Sequence, residues 1–199
     1  HSMTGDFVKK SYSEWLKKCE KLKKDLPTVL PSFTGNPINS YYFVECLNKH
    51  SKKNHIFVDD AGSANYVCSQ GLKLKEGQRE LTSGAFYSMG VALPLAIGAA
   101  ITEHNAQVIA VTGDGSIELN IQELRTMSHN NLNIKLFIIN NGGYASIRES
   151  QGDYSDGRYT ETEDILDFSK VAEAFEIEYE IIDNYETIDQ QIKQITANS

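Results

Sequence analysis

The sequence predicts an α/β protein in which a parallel β-sheet is sandwiched between helices as three layers. Three observations predict it. From about residue 37 onward, short apolar runs alternate with segments of helical periodicity. Two of the runs, "AQVIAVTG" (106–113) and "IKLFIIN" (134–140), are apolar almost throughout, as strands covered on both faces are. Each is followed by small polar residues, "GDGS" after the first and "NNGG" after the second, one helix crossover apart. In open parallel sheets the ligand crevice lies beyond the carboxyl ends of the strands, where both stretches fall.

The elements follow in order. Residues 11–26, "SYSEWLKKCEKLKKDL", place Trp15, Leu16, Cys19, Leu22 and Leu26 on one helical stripe, with lysines on a solvated face. "LPTVLPSFTGNP" carries Pro27, Pro31, Gly35 and Pro37 and marks a linker. His1-Ser2-Met3 reads as the remnant of a cleaved tag, residues 4–36 as a helix and Pro-rich arm from a preceding domain, and 37–199 as the folded domain. A second helix is predicted from Asn39 to about Lys52. "HIFVDD" (55–60) is a strand ending in acids, "SANYVCSQ" a helical turn and "RELTS" (79–83) a strand. Residues 88–103 form a central helix, apolar nearly all round, and 118–129 a helix burying Leu119, Leu124 and Met127. After the strand at 134–140 come a helix "DFSKVAEAFE", a strand "EYEIID" and a helix "YETIDQQIKQIT". No internal repeat is visible.

Composition narrows the function. With 40% hydrophobic and 23% charged residues, the 199-residue chain has the make-up of a soluble globular protein. A net charge of −8 argues against nucleic acid or an anionic membrane surface as partner. Cys19, Cys46 and Cys68 are isolated and odd in number, which fits a reducing compartment and a cytoplasmic protein rather than a disulfide framework. The five histidines lack metal-ligand spacing. The longest apolar run, in "MGVALPLAIGAAI", is too short to span a bilayer.

The two glycine-rich ends suggest a divalent metal and an anion. Mg²⁺ takes about six hard oxygens, shared among a carboxylate, carbonyls, water and substrate phosphate. Asp114 offers a carboxylate, Asn141 an amide oxygen and Gly143 a carbonyl. Gly113 and Gly115 permit a tight turn and close approach of an anion. Ser116 adds a hydroxyl and an amide near a helix start. Either stretch alone reads as a turn or loop; the pair, both after apolar strands, reads as a Mg²⁺-bridged diphosphate site. Neither GxGxxG after a strand nor GxxxxGK[ST] occurs, so an ordinary dinucleotide or P-loop reading loses.

"GDGS" followed by "NN" resembles the cofactor motif of thiamine diphosphate-dependent enzymes. "DDAGSANYVCSQ", "TSGAFYSMGVALPLAIGAA" and "NNGGYASIRESQ" are similar in kind and order to the C-terminal domain of the acetolactate synthase family, over roughly residues 37–183. The resemblance implies thiamine diphosphate and Mg²⁺ as cofactors. Asp114, Asn141 and the Gly143 carbonyl would hold Mg²⁺. Gly113, Gly115 and Ser116 would contact the diphosphate, with Gly62, Ser63 and Ala64 in "AGSAN" and with Tyr144 and Ala145. Met89 would sit under the thiazolium and the Tyr87 carbonyl would meet the aminopyrimidine. Asn140 is left unassigned.

There are two departures, of which the first bears on the substrate and the second removes side-chain donors but leaves backbone amides. Gly84-Ala85-Phe86-Tyr87 replaces the family's glycine-rich segment, and Ser63-Ala64 replaces a Gln-His pair. The family's catalytic glutamate comes from a separate pyrimidine-binding domain that this chain does not resemble, so the chain would hold half an active site, inactive alone. It reads as a fragment of a longer, homo-oligomeric enzyme acting on a 2-oxo acid and passing the resulting carbanion to an acceptor carbonyl. FAD, if the parent uses it, would lie outside this domain. Three other readings stand beside this one: a separate diphosphate-binding subunit of a 2-oxo acid decarboxylase, a catalytically dead binding module, and a flavodoxin-like or nucleotide-binding regulator.

Overall fold

The computed structural model describes residues 12–154 and 166–197; residues 1–3, read above as a tag remnant, lie outside them. The chain opens with helix α1 (Ser13–Asp25) and helix α2 (Ser40–His50). The Asn39 side chain caps α2 by accepting from the Tyr41 amide at 2.9 Å. Then follow β1 (His55–Asp59), α3 (Ser63–Gly71), β2 (Arg79–Leu81), α4 (Ala92–Thr102) and β3 (Gln107–Gly113). Next come α5 (Asp114–Ile117), α6 (Leu124–His129), β4 (Ile134–Ile139) and α7 (Ala145–Tyr154). The described chain ends with α8 (Phe168–Ala174) and α9 (Ile188–Ala197).

The four strands form one parallel sheet in the order β2-β1-β3-β4. Strand alternation sends side chains to two separate cores. Ile56, Val58, Val108, Ala110, Leu136 and Ile138 face α4, α6 and α8. Phe57, Ile109, Val111, Phe137 and Ile139 face α2, α3 and α9. This is the three-layer α/β/α arrangement the sequence predicts. β1 and the first six residues of β3 are buried, which explains their unbroken apolar runs. α4 buries Ala92, Leu93, Ala96, Ile97, Ala99 and Ala100, so it is the central helix expected from its composition.

Three expectations are corrected. The helix predicted over 88–103 starts only at Ala92, after a short 3₁₀ turn at Gly84–Phe86. The segment 118–129 is a 3₁₀ stretch (Glu118–Glu123) followed by α6, broken at Asn120 (φ −136°, ψ 29°). There the Asn120 side chain donates to the Gly90 carbonyl at 2.8 Å. The break turns Leu119 outward to 54% exposure, while Leu124 and Met127 stay buried. "EYEIID" pairs with no strand among the described residues: the Ile181 carbonyl accepts from Gln191 of α9 at 3.0 Å, and Tyr179 and Ile181 are exposed. The stripe of α1 forms, but no residue of that helix is buried. The arm after it is tied down where the Asn36 side chain accepts from the Tyr185 amide at 2.8 Å.

Candidate functional site

All four strands run the same way, so β1, β3 and β4 deliver their C-terminal residues to one edge of the sheet. β3 ends at Gly113 in extended backbone (φ −90°, ψ 158°), and the next residue, Asp114, begins the one-turn α5. Asp114 is 2% exposed. Its Oδ2 accepts three consecutive backbone amides from the loop after β4: Asn141 at 3.0 Å, Gly142 at 2.9 Å and Gly143 at 2.8 Å. Its Oδ1 accepts one, from Gly115 at 2.8 Å. Three N–H groups can converge on one oxygen only if the loop curls around it. Gly142 (φ +86°) and Gly143 (φ +89°) supply that curl in a region side chains disfavour.

Gly115 is required for a different reason. A Cβ there would lie 2.4 Å from Cε1 and 2.8 Å from Cδ1 of Tyr144, so the tyrosine ring fills the space a side chain would need. At Gly113 no described atom lies within 4 Å of such a Cβ, so packing within the chain does not demand glycine and the space in front of it is open. Ser116 is buried. Gly62 (φ +59°) turns the chain from β1 into α3 and places its would-be Cβ 4.0 Å from the Ser146 hydroxyl, which brings the starts of α3 and α7 together. The Ala64 side chain is buried in the core against α2 and α9, so only its backbone is available at the helix start. The Ala145 amide donates to the Gly143 carbonyl at 2.8 Å, which occupies both groups in part.

The segment carrying Tyr87 and Met89 is attached through Gly90. A Cβ at Gly90 would meet Leu119 Cβ at 2.8 Å and the Ser116 carbonyl at 3.0 Å. The Gly90 amide donates to Asp60 Oδ1 at 2.8 Å. Tyr87 holds a left-handed conformation (φ 44°, ψ 45°), and both Tyr87 and Met89 are exposed beside Phe86 at 88%. The structure therefore gathers Asp114, Gly115, Ser116, Asn141 to Ala145 and Gly62, and joins the Tyr87–Met89 segment to them by its backbone.

Sequence reasoning missed three residues. Asp60, fully buried, accepts from the amides of Ala61 (2.9 Å), Gly90 (2.8 Å) and Ala92 (3.1 Å) and from the Thr112 hydroxyl (3.0 Å). It pins the Gly62 turn, the Tyr87–Met89 segment, the start of α4 and the end of β3 to one point. Its neighbour Asp59 accepts from Asn65 at 2.6 Å but leaves Oδ2 buried without a donor, as does Glu80 Oε1 on the adjacent strand. Burial, reinforced by Glu80, raises the Asp59 carboxyl to about 6. Both acids were visible in "HIFVDD", but nothing in the sequence tells which one is fully satisfied and which keeps an oxygen without a donor. The third is Arg148, whose Nη1 donates to the Gly142 carbonyl at 2.5 Å and Nη2 to the Asn141 carbonyl at 3.3 Å.

The donor set fits a hard cation bridged to a phosphate. No three His, Cys, Asp or Glu side chains cluster for a metal among the described residues. A cation here would draw on one carboxylate, amide and carbonyl oxygens and the ligand's own oxygens, as Mg²⁺ does. Asp114 Oδ1, the Asn141 side chain and the Gly143 carbonyl are such groups, and the open space before Gly113 leaves room for the anion.

The chain is thus an α/β domain whose parallel three-layer sheet ends, at its carboxyl edge, in a buried acid cradled by the amides of a glycine-rich loop. Residues 60–199 match the family model for the thiamine pyrophosphate enzyme C-terminal TPP binding domain, and the chain belongs to that family. Similar proteins include the acetolactate synthase large subunit of Cyanidium caldarium, 35% identical over 158 residues, covering 78% of this chain and 26% of that protein. Isozyme 1 of the large subunit from Escherichia coli K12 is 30% identical over 168 residues (83% and 30%). The large subunit of Lactococcus lactis is 28% identical over 199 residues (96% and 33%). The chain thus spans between about a quarter and a third of the length of these relatives. Among the described residues no helix is long and apolar enough to cross a membrane.

Proposed function

We propose that this chain is the Mg²⁺–thiamine diphosphate-binding domain of an acetolactate synthase-like enzyme that decarboxylates a 2-oxo acid of the pyruvate type and transfers the carbanion to an acceptor carbonyl. The observation that carries this reading is the Asp114 carboxylate, held by three amides of the Asn141–Gly143 loop on one oxygen and left with a single donor on the other. A carboxylate so fixed is preorganised as a metal ligand. The family match and the acetolactate synthase relatives support the cofactor and the reaction class.

Thiamine diphosphate, when bound, supplies the nucleophilic carbon and electron sink for carbon–carbon cleavage and formation. The chain's own residues do the holding. Asp114, Asn141 and the Gly143 carbonyl take the metal, while Gly113, Gly115 and Ser116 line the diphosphate. Gly62, Ser63 and Ala64 add backbone amides from the start of α3, a favourable place for an anion. Tyr144 and Ala145 close the other side. Met89 and the Tyr87 carbonyl address the organic rings. Proton transfer at the aminopyrimidine falls to a glutamate of a pyrimidine-binding domain, in the same or a second subunit. The test is a calorimetric titration of thiamine diphosphate with Mg²⁺ and again with a chelator, on this chain and on the longer enzyme. Mg²⁺-dependent binding that Asp114→Ala abolishes supports the reading; equal binding in both arms overturns it.

A further inference from the structure

In a trans peptide unit the N–H and C=O point in opposite directions. The amides of Gly142 and Gly143 point at Asp114 Oδ2, at 2.9 and 2.8 Å. The carbonyls of the same two peptide units, those of Asn141 and Gly142, therefore point away from Asp114. Those are the two carbonyls to which the Arg148 guanidinium donates. The two peptide planes are thus clamped between a carboxylate on their amide side and a guanidinium on their carbonyl side. Each end polarises the peptide dipole in the direction the other needs.

The clamp acts on the part of the loop least able to hold itself. Gly142 and Gly143 are consecutive residues of positive φ, and glycine is the residue with the most conformational freedom to lose. Arg148 is well placed to fix them because it sits in the first turns of α7, four residues after Tyr144, with its own amide bonded to the Tyr144 carbonyl at 2.9 Å. Among the described residues no carboxylate forms an ion pair with Arg148. Both side-chain hydrogen bonds it makes among those residues go to the loop. Arginine suits the task because its planar fork reaches two acceptors at once, which a lysine ammonium does with less geometric fixity.

We propose that Arg148 is a positioning residue for the metal site: it holds the Asn141–Gly143 loop in the conformation that aims three amides at Asp114 and leaves Oδ1 to the metal. This rests on the reading of Asp114 as a metal ligand, but the loop-holding part does not need a ligand to be tested. The experiment compares Arg148→Ala and Arg148→Lys with the unmodified chain in two measurements. Without ligand, amide hydrogen exchange at Gly142 and Gly143 is followed beside exchange in α4 and β3. With thiamine diphosphate present, Mg²⁺ is titrated.

Arg148→Ala is expected to speed exchange at Gly142 and Gly143 at least about tenfold while α4 and β3 keep their protection, and to weaken Mg²⁺ by about tenfold, one broken charge-assisted bond's worth. Arg148→Lys should fall between. Unchanged exchange at the two glycines in Arg148→Ala overturns the proposal. So does acceleration spread evenly over the whole chain, which is the mark of a merely structural residue. If the unmodified chain shows no Mg²⁺-dependent binding in the longer enzyme either, the functional reading fails and the exchange measurement still decides whether Arg148 holds the loop.

Discussion

Asp60 and Asp114 are both buried carboxylates at the carboxyl edge of the same sheet, and each accepts four hydrogen bonds. They divide them differently. Asp60 takes two on each oxygen, from four places in the chain: Ala61, Gly90, Ala92 and Thr112. Asp114 takes three on Oδ2 from one loop and only one on Oδ1, from its own neighbour. A carboxylate has about four lone-pair sites. The two-and-two arrangement fills all of Asp60 and makes it a staple between segments. The three-and-one arrangement anchors Asp114 by one oxygen and leaves the other able to take a ligand. What distinguishes the two acids is where their donors come from, since they share residue type, burial and neighbourhood.

The comparison breaks first at Asp60. Asp60→Ala would strand three buried amides and a buried hydroxyl, each costing about 1–3 kcal/mol. The unfolding midpoint is expected to fall by more than about 10 °C, read by circular dichroism. A midpoint within about 3 °C of the unmodified chain would show that Asp60 is no staple. Asp114 should behave differently. Asp114→Asn keeps an oxygen for the three loop amides but loses the charge, so the midpoint should shift by only a few degrees. Mg²⁺-dependent cofactor binding in the longer enzyme should weaken about a hundredfold or more. Asp114→Ala, which also frees the loop, should cost stability as well as binding.

Gly115 probes the same site by shape. Gly115→Ala drives a methyl into the Tyr144 ring and is expected to cost about 1–3 kcal/mol. Much of that loss should be absent when Tyr144→Ala is the background, a coupling that a double-mutant cycle would measure. Additive losses would mean that the ring is not what the methyl meets.

The smallest effect concerns Asp59, the third acid at this edge. Burial raises its carboxyl to about 6 from an ordinary value of 3.8. The folded chain therefore holds this proton more tightly than the unfolded chain. The stability it contributes is complete below pH 3.8 and is lost as pH rises through about 6. Asp59→Asn, neutral at every pH, should raise the unfolding midpoint by roughly 2–4 °C at pH 8 and leave it unchanged well below that window. A midpoint that falls at pH 8 would contradict this. His55 titrates in the opposite sense. Its burial, with Lys52 and Lys75 nearby, lowers it from 6.5 to about 4, so its stability is complete above 6.5 and is lost as pH falls through about 4. The Asp59→Asn difference should therefore be read on one histidine background.

Much of this was legible in the sequence for physical reasons. β1 and β3 announced themselves because strands covered on both faces are apolar throughout, and α4 because its long apolar run supplies a face of the core. The meeting of Asp114 with the Asn141–Gly143 loop was legible because two glycine-rich segments, one with an acid, fall at strand ends one crossover apart. What stayed hidden depends on contacts across the chain. The break at Asn120 comes from a bond to the Gly90 carbonyl, thirty positions earlier. "EYEIID" alternates like a strand, but its Ile181 carbonyl is taken by a side chain of α9. Asp59 and Asp60 are adjacent and identical in kind, and only the fold makes one a staple and leaves the other with a buried oxygen that no donor meets. Arg148 carried no signal in the sequence, because its role depends on the carbonyls of Asn141 and Gly142 facing it in the fold.

The most direct measurement is to locate the metal. Mn²⁺ would replace Mg²⁺ in the presence of thiamine diphosphate, and paramagnetic broadening of backbone amide signals would be mapped on the isotope-labelled chain within the longer enzyme. The amides of Gly115 and of Asn141 to Gly143 should broaden first, recover with excess Mg²⁺, and stay sharp in Asp114→Asn. Broadening centred elsewhere, or broadening at these amides that persists in Asp114→Asn, would contradict the assignment of Asp114 as the residue that holds the metal.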